Sequence, residues 1–122
     1  MIIVDSSVWI DHFRSPDPQL GEIAGRQLIR MHPFVLTEIA LGNPPYRAPL
    51  LRNLSDLLPA PVATTDEVLD FVENDLIYGK GLGFVDIHLL ASARISLGGR
   101  VWTRDKRLLA VAERLDLAMK AN

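Results

Sequence analysis

Four carboxylates stand where a carboxylate could do chemistry. Asp5 follows directly on the β-branched run Ile2-Ile3-Val4. Glu38 comes two residues after Phe34-Val35-Leu36, and Asp105 two residues after Val101-Trp102-Thr103. If those apolar runs are strands of one parallel sheet, the three acids share its carboxyl edge, where open α/β sheets build their sites. Asp86 is flanked by Phe84, Val85 and Ile87, and at helical spacing it heads an apolar stripe of Leu90, Ala93 and Leu97. A carboxylate there is costly unless it is paired or bound to a cation. Four like charges at one edge repel, and a divalent cation is the natural compensation. An all-oxygen set suits Mg²⁺ or Mn²⁺. Mg²⁺ held by carboxylates activates water and stabilises a leaving oxygen, which is the chemistry of phosphate-ester hydrolysis.

Each acid also has a purely structural explanation. Asp5 and Asp105 can cap the helices that follow them. Glu38 can be a first-turn acid favoured by the helix dipole, and Asp86 can pair with an arginine or with His88. Four caps need not converge on one edge, whereas a metal site must. Zinc is disfavoured, because the chain has no cysteine and His12, His32 and His88 lack paired-ligand spacing. No Walker A, G-x-G-x-x-G or G-x-S-x-G pattern is present. Trp9 and Trp102 stand in apolar contexts and read as core.

The elements that must position these acids alternate. Strands are expected at Ile2–Val4, Phe34–Leu36 and Arg100–Thr103, with weaker ones at Pro61–Ala63 and Leu117–Met119. Helices are expected over Ser6–Phe13, Gln19–Arg30, Thr37–Leu41, Ala48–Leu58, Thr64–Tyr78, Phe84–Leu97 and Asp105–Leu115. Thr64-x-x-Glu67 carries a capping-box pattern, and Gly79-x-Gly81-x-Gly83 reads as a hinge turn. Short apolar strands alternating with helices imply an α/β fold whose parallel sheet is covered on both faces.

At 122 residues the chain reads as one domain, 1–122. Its longest stretch without Asp, Glu, Lys or Arg is Leu57–Thr65, broken by two prolines, so no membrane span is expected. The opening Met1-Ile2-Ile3-Val4-Asp5 lacks a basic n-region, which leads to the expectation of a cytoplasmic protein. Thirteen basic residues against 15 acidic argue against a DNA-coating protein. Ten of the 13 are arginines, the side chain suited to forked phosphate contacts.

Val4-Asp5-Ser6-Ser7-Val8-Trp9-Ile10-Asp11 resembles the opening motif of PIN-domain ribonucleases, most closely the VapC toxins of bacterial toxin–antitoxin pairs. Thr37–Gly42 resembles their second motif, Gly83–Ala93 the third and Val101–Leu108 the fourth. Any one motif is weak, but four in order span the whole chain. The resemblance implies a PIN fold, a short parallel sheet sandwiched by helices. It maps the family's metal-binding acids onto Asp5, Glu38, Asp86 and Asp105, with Ser6 and Thr103 as supporting polar positions. It implies a metal-dependent endoribonuclease, for which the all-oxygen acids suit Mg²⁺ or Mn²⁺, and arginines near the cleft, Arg14, Arg104 or Arg107, are expected to hold the RNA backbone.

Two other functions fit parts of the pattern. A PIN fold kept only as a binding module would not need all four acids. A phosphoacceptor receiver domain would need a mid-chain aspartate ending a strand, and the only candidate, Asp56, lies in a helical segment. Hydrophobic residues make up 48% of the chain, and leucines crowd Leu50, Leu51, Leu54, Leu57 and Leu58. Leu20, Ile23, Ala24 and Leu28 form a second stripe. That surplus leads to the expectation that part of it is interface, and the resemblance implies a homodimer with a cognate antitoxin partner.

Overall fold

The structure, a computed structural model, describes residues 1–120. Its elements run β1 (Ile2–Val4), α1 (Ser6–Arg14), α2 (Pro18–Gly25), β2 (Ile29–Arg30), α3 (Pro33–Leu41), α4 (Arg47–Ser55), α5 (Thr65–Asn74), α6 (Phe84–Ile95), β3 (Arg100–Trp102) and α7 (Lys106–Arg114). The strands form a parallel sheet in the order β2-β1-β3, with Ile3 opposite Arg30 on one side and Val101 on the other. Single parallel bridges widen it, Met31 to Pro59 beyond β2 and Val101 to Ala118 beyond β3.

Successive strand residues point to opposite faces. Ile3 and Val4 are both essentially fully buried, so helices cover the sheet on both sides. Val8, Leu20, Val35, Leu89, Leu90 and Leu108 supply that cover from five helices. The architecture is the expected α/β one, a short parallel sheet sandwiched by helices. Among the described residues, no helix is long and apolar enough to cross a membrane.

Helix starts follow local chemistry. The ring of His32 caps α3 by accepting from Phe34 N at 3.1 Å, with Pro33 in the first turn. Thr64 and Glu67 form the expected capping box of α5. Gly99 lets β3 begin tight against α6, since a β-carbon there would run into the Ala93 carbonyl.

Several expected boundaries are corrected. Phe34–Leu36 is not a strand but the first turns of α3. The strand is Ile29–Arg30, which the helix expected over Gln19–Arg30 had absorbed. That helix ends at Gly25, and Gln27 turns into the left-handed region at φ 57°. The helix expected from Thr64 to Tyr78 ends at Asn74, just before Leu76 at φ 55°. Pro61–Ala63 forms no strand, and Leu117–Met119 contributes only the bridge at Ala118. The stripe headed by Asp86 is buried at Leu90 and Ala93, but Leu97 lies past the end of α6 and is fully exposed.

Candidate active site

Because all strands of the sheet are parallel, their carboxyl ends lie at one edge. β1 delivers Asp5 there and β3 delivers Thr103 and Asp105. Glu38 arrives differently from expectation, on α3, which follows β2 by way of the His32 cap. Asp86 is the third residue of α6.

Asp5 is the most constrained of the four. It is 6% exposed, and both carboxylate oxygens are held. Oδ1 accepts from Ser6 N at 2.8 Å. Oδ2 accepts from Ser7 Oγ and from Thr103 Oγ1, each at 2.8 Å. Thr103 Oγ1 also accepts from Asp105 N at 3.0 Å, so one buried hydroxyl ties the ends of β1 and β3 together. Asp105 Oδ1 accepts from Arg107 N and Leu108 N and caps α7. Asp86 Oδ2 closes the start of α6 by accepting from Gly83 N at 3.0 Å. Glu38 Oε1 accepts from Ser6 Oγ at 3.2 Å.

The capping explanation therefore holds for Asp5 and Asp105, and Asp86, expected to pair with an arginine or with His88, instead closes a helix start by accepting from Gly83 N. Glu38 is pushed above the ordinary carboxylate range by burial and by the charges of Asp5 and Asp86, against the lowering effect of the Ser6 hydroxyl. Asp86 is pushed up by burial and by Asp5 and Asp105, while its bond from Gly83 pulls it down. Among the described residues, no Lys, Arg or His pairs with any of the four acids. Nor do three or more Asp, Glu, His or Cys side chains come together closely enough to hold a metal ion as they stand. Each of the four instead faces a donor: a helix-start N–H for Asp5, Asp86 and Asp105, the Ser6 hydroxyl for Glu38.

Ser6 and Thr103 both contact the acids. Ser7 was missed, although it makes one of the three bonds to Asp5 and also accepts from Arg104 N at 3.1 Å. Its signal was present as the second hydroxyl of Asp5-Ser6-Ser7. The three arginines fare differently. Arg14 lines a cleft of about 270 Å³ with Glu38, Ile10, Phe13, Ile39 and the Gly42–Pro45 turn. The Arg104 guanidinium is forked onto Asp11 and Asp17 at 2.6 and 2.7 Å, 6.0 Å from the Trp102 ring. Arg107 lies over the glycine turn, where a β-carbon on Gly81 would come within 3.0 Å of its Cδ and Nη1.

No family model matches the chain. The solved structure of PAE2754 from Pyrobaculum aerophilum superimposes with a TM-score of 0.64, over 97% of this chain and 87% of that one, at 18% identity. The likeness is one of fold, a short parallel sheet between helices. Ribonuclease VapC32, from two strains of Mycobacterium tuberculosis, is 44% identical over 119 residues, which cover 98% of this chain and 96% of that protein. The chain belongs to the VapC family of PIN-domain ribonucleases.

Proposed function

We propose that this chain is the toxin of a VapBC-type pair, an endoribonuclease that hydrolyses RNA phosphodiester bonds with Mg²⁺, or Mn²⁺ in its place. The observation that carries the reading is electrostatic. Four carboxylates from four elements share one sheet edge, two of them raised by burial and by their neighbours' charges, and among the described residues none of the four is in an ion pair. The donors fit a hard divalent cation, being all oxygen. The nearby imidazoles are unsuited to replace them, since His32 and His88 are buried against aromatic rings. Asp5, Glu38 and Asp86 would hold the ion, with Asp105 assisting. When bound, such an ion stabilises the charge of a reacting phosphate and makes water a better nucleophile.

The chain's own residues do the rest. Thr103 and Ser7 fix the Asp5 carboxylate, and Ser6 holds Glu38 beside it. Arg14, in one cleft with Glu38, and Arg107, over Gly81, are the arginines left for the RNA backbone, whereas Arg104 is already committed to Asp11 and Asp17. The cleft between Ile10, Phe13, Ile39 and Pro45 has Arg14 and Glu38 in its wall. It suits an apolar antitoxin segment that carries a basic residue toward the acids. Leu20, Ile23 and Leu54 serve the core, so a homodimer would draw on exposed residues such as Leu41, Tyr46 and Leu58.

Two measurements test this. Mn²⁺ titration followed by electron paramagnetic resonance should show binding by the wild type and at least tenfold weaker binding by Asp86→Asn. Purified protein should cleave RNA, and the small protein encoded beside it should suppress that cleavage. Equal Mn²⁺ binding by the two proteins would remove Asp86 from the metal set. Absence of cleavage under all metal conditions would favour a binding module.

A further inference from the structure

The helices that carry Glu38 and Asp86 also carry an aromatic surface. Phe34 lies one turn before Glu38 on α3, and Phe84 lies two residues before Asp86 at the start of α6. Their rings stack at 5.7 Å between centroids and 29° between planes. The stack is braced from beneath. Buried His32 and His88 each meet the Phe34 ring edge-on at 4.9 Å, and His88 lies 4.6 Å from the Phe84 ring. Phe84 nevertheless remains 70% exposed. A large aromatic side chain stacked on its neighbours and left open to solvent is not explained by the core.

The surroundings indicate what covers it. Arg107 reaches over Gly81, three residues before Phe84, and neither it nor Lys80 forms an ion pair among the described residues. An aromatic face on the two helices that carry Glu38 and Asp86, with unpaired cations at and over the turn that leads into α6, offers the parts that meet one nucleotide: base, backbone phosphate and reacting phosphodiester. Single-strand-binding proteins combine aromatic stacking with cationic grooves in this way. We propose that Phe84, backed by Phe34, is a base-stacking platform that seats an unpaired nucleobase of the RNA next to the bond to be cut. This inference rests on the ribonuclease reading and adds to it the residue that positions the substrate.

Stacking of one base is worth about 1–3 kcal/mol by alanine substitution, a factor of about 5 to 150 in affinity. Phe84→Leu, which keeps an apolar side chain but removes the π face, should lower kcat/KM within that range, chiefly through KM. Phe84→Tyr should recover most of the loss. With the wild type, replacing bases one at a time by abasic sites around a mapped cleavage position should reproduce the same loss at one position only, and that loss should not add to Phe84→Leu. Independently of cleavage, Phe84→Trp in EDTA should show emission quenched by a mixed-sequence single-stranded oligoribonucleotide, beyond the response of the parent protein. Quenching without cleavage by any form would uphold the platform and overturn the nuclease reading. Cleavage with no quenching and an unaffected Phe84→Leu would do the reverse. Conversion of a dimer to a monomer by Phe84→Leu, with no response to RNA, would assign the face to a second copy of the chain and overturn the platform.

Discussion

Thr103 Oγ1 donates to Asp5 Oδ2 at 2.8 Å, linking residues 98 positions apart across the buried junction of β1 and β3. The same oxygen accepts from Asp105 N, so the orientation of two acids depends on one hydroxyl. Thr103→Val keeps the shape and removes both bonds. It should cost about 1–3 kcal/mol in stability, because it leaves a buried carboxylate short of a donor. It should also lower RNA cleavage at least tenfold, while Thr103→Ser retains most of both. Chemical denaturation and initial rates would check this, and unchanged values for Thr103→Val would show that Ser6 and Ser7 suffice.

Asp86→Asn should separate stability from activity. Burial and the Asp5 and Asp105 charges raise the proton affinity of Asp86 in the folded state. Its ionised form therefore destabilises the metal-free fold at neutral pH. The amide can still accept from Gly83 N. In EDTA the variant should melt above the wild type, and with Mg²⁺ it should be inactive. A lower melting temperature in EDTA would mean that the charge stabilises the start of α6 more than it is repelled by its neighbours.

The pH dependence of stability should carry the mark of His32. It is fully buried, its Nδ1 accepts from Phe34 N, and its Nε2 has no partner among the described residues. Burial and the nearby His88 lower its pKa from 6.5 to about 4. Between those values the unfolded chain binds a proton that the folded chain does not, so this contribution is complete above 6.5 and lost as pH falls toward 4. The whole span is worth about 3 kcal/mol at most. Glu38 and Asp86 act in the opposite sense, their raised affinities favouring the folded state as they protonate. The test is therefore the difference between wild type and His32→Asn, which keeps a capping side chain. That difference should shrink from pH 7 to pH 4.5, and a constant difference would show that His32 titrates normally.

Arg104→Gln distinguishes a clamp from an RNA contact. Its two ion pairs are partly exposed, each worth up to about 1 kcal/mol. The variant should lose roughly that much stability, with kcat falling more than KM rises because the ion pairs to Asp11 and Asp17 no longer hold in place the segment whose backbone N–H bonds Ser7. An unchanged melting temperature with a raised KM would return Arg104 to the RNA-binding set.

The placement of three of the four acids was legible in the sequence because Asp5, Asp86 and Asp105 sit at strand ends and helix starts. Asp5 after Ile2-Ile3-Val4 and Asp105 after Arg100-Val101-Trp102 are where the strand pattern leads. Glu38 reached the right edge by a different route. Phe34-Val35-Leu36 is a short apolar run whose period fits strand or helix equally. The deciding residues were Pro33, which favours a first helical turn, and His32, an unusual cap. β2 has only two residues and offered no pattern to find. Helix ends at Gly25 and Asn74 were overrun because left-handed Gln27 and Leu76 are set by packing rather than by residue type. The Phe34–Phe84 stack joins residues 50 positions apart in helices of different sequence context, and no local signal relates them.

The central claim is that the carboxylate edge cleaves RNA through a bound divalent cation. The most direct measurement is the initial rate of RNA cleavage by wild type and Asp5→Asn, purified identically and assayed in EDTA, Mg²⁺, Mn²⁺ and Ca²⁺. Wild type should be inactive in EDTA, active in Mg²⁺ and Mn²⁺ and poorly active in Ca²⁺, whose looser coordination suits an octahedral site less well. Asp5→Asn should melt cooperatively and cleave at least a hundredfold more slowly in every metal. Equal rates for the two proteins, or wild-type cleavage undiminished by EDTA, would contradict the account.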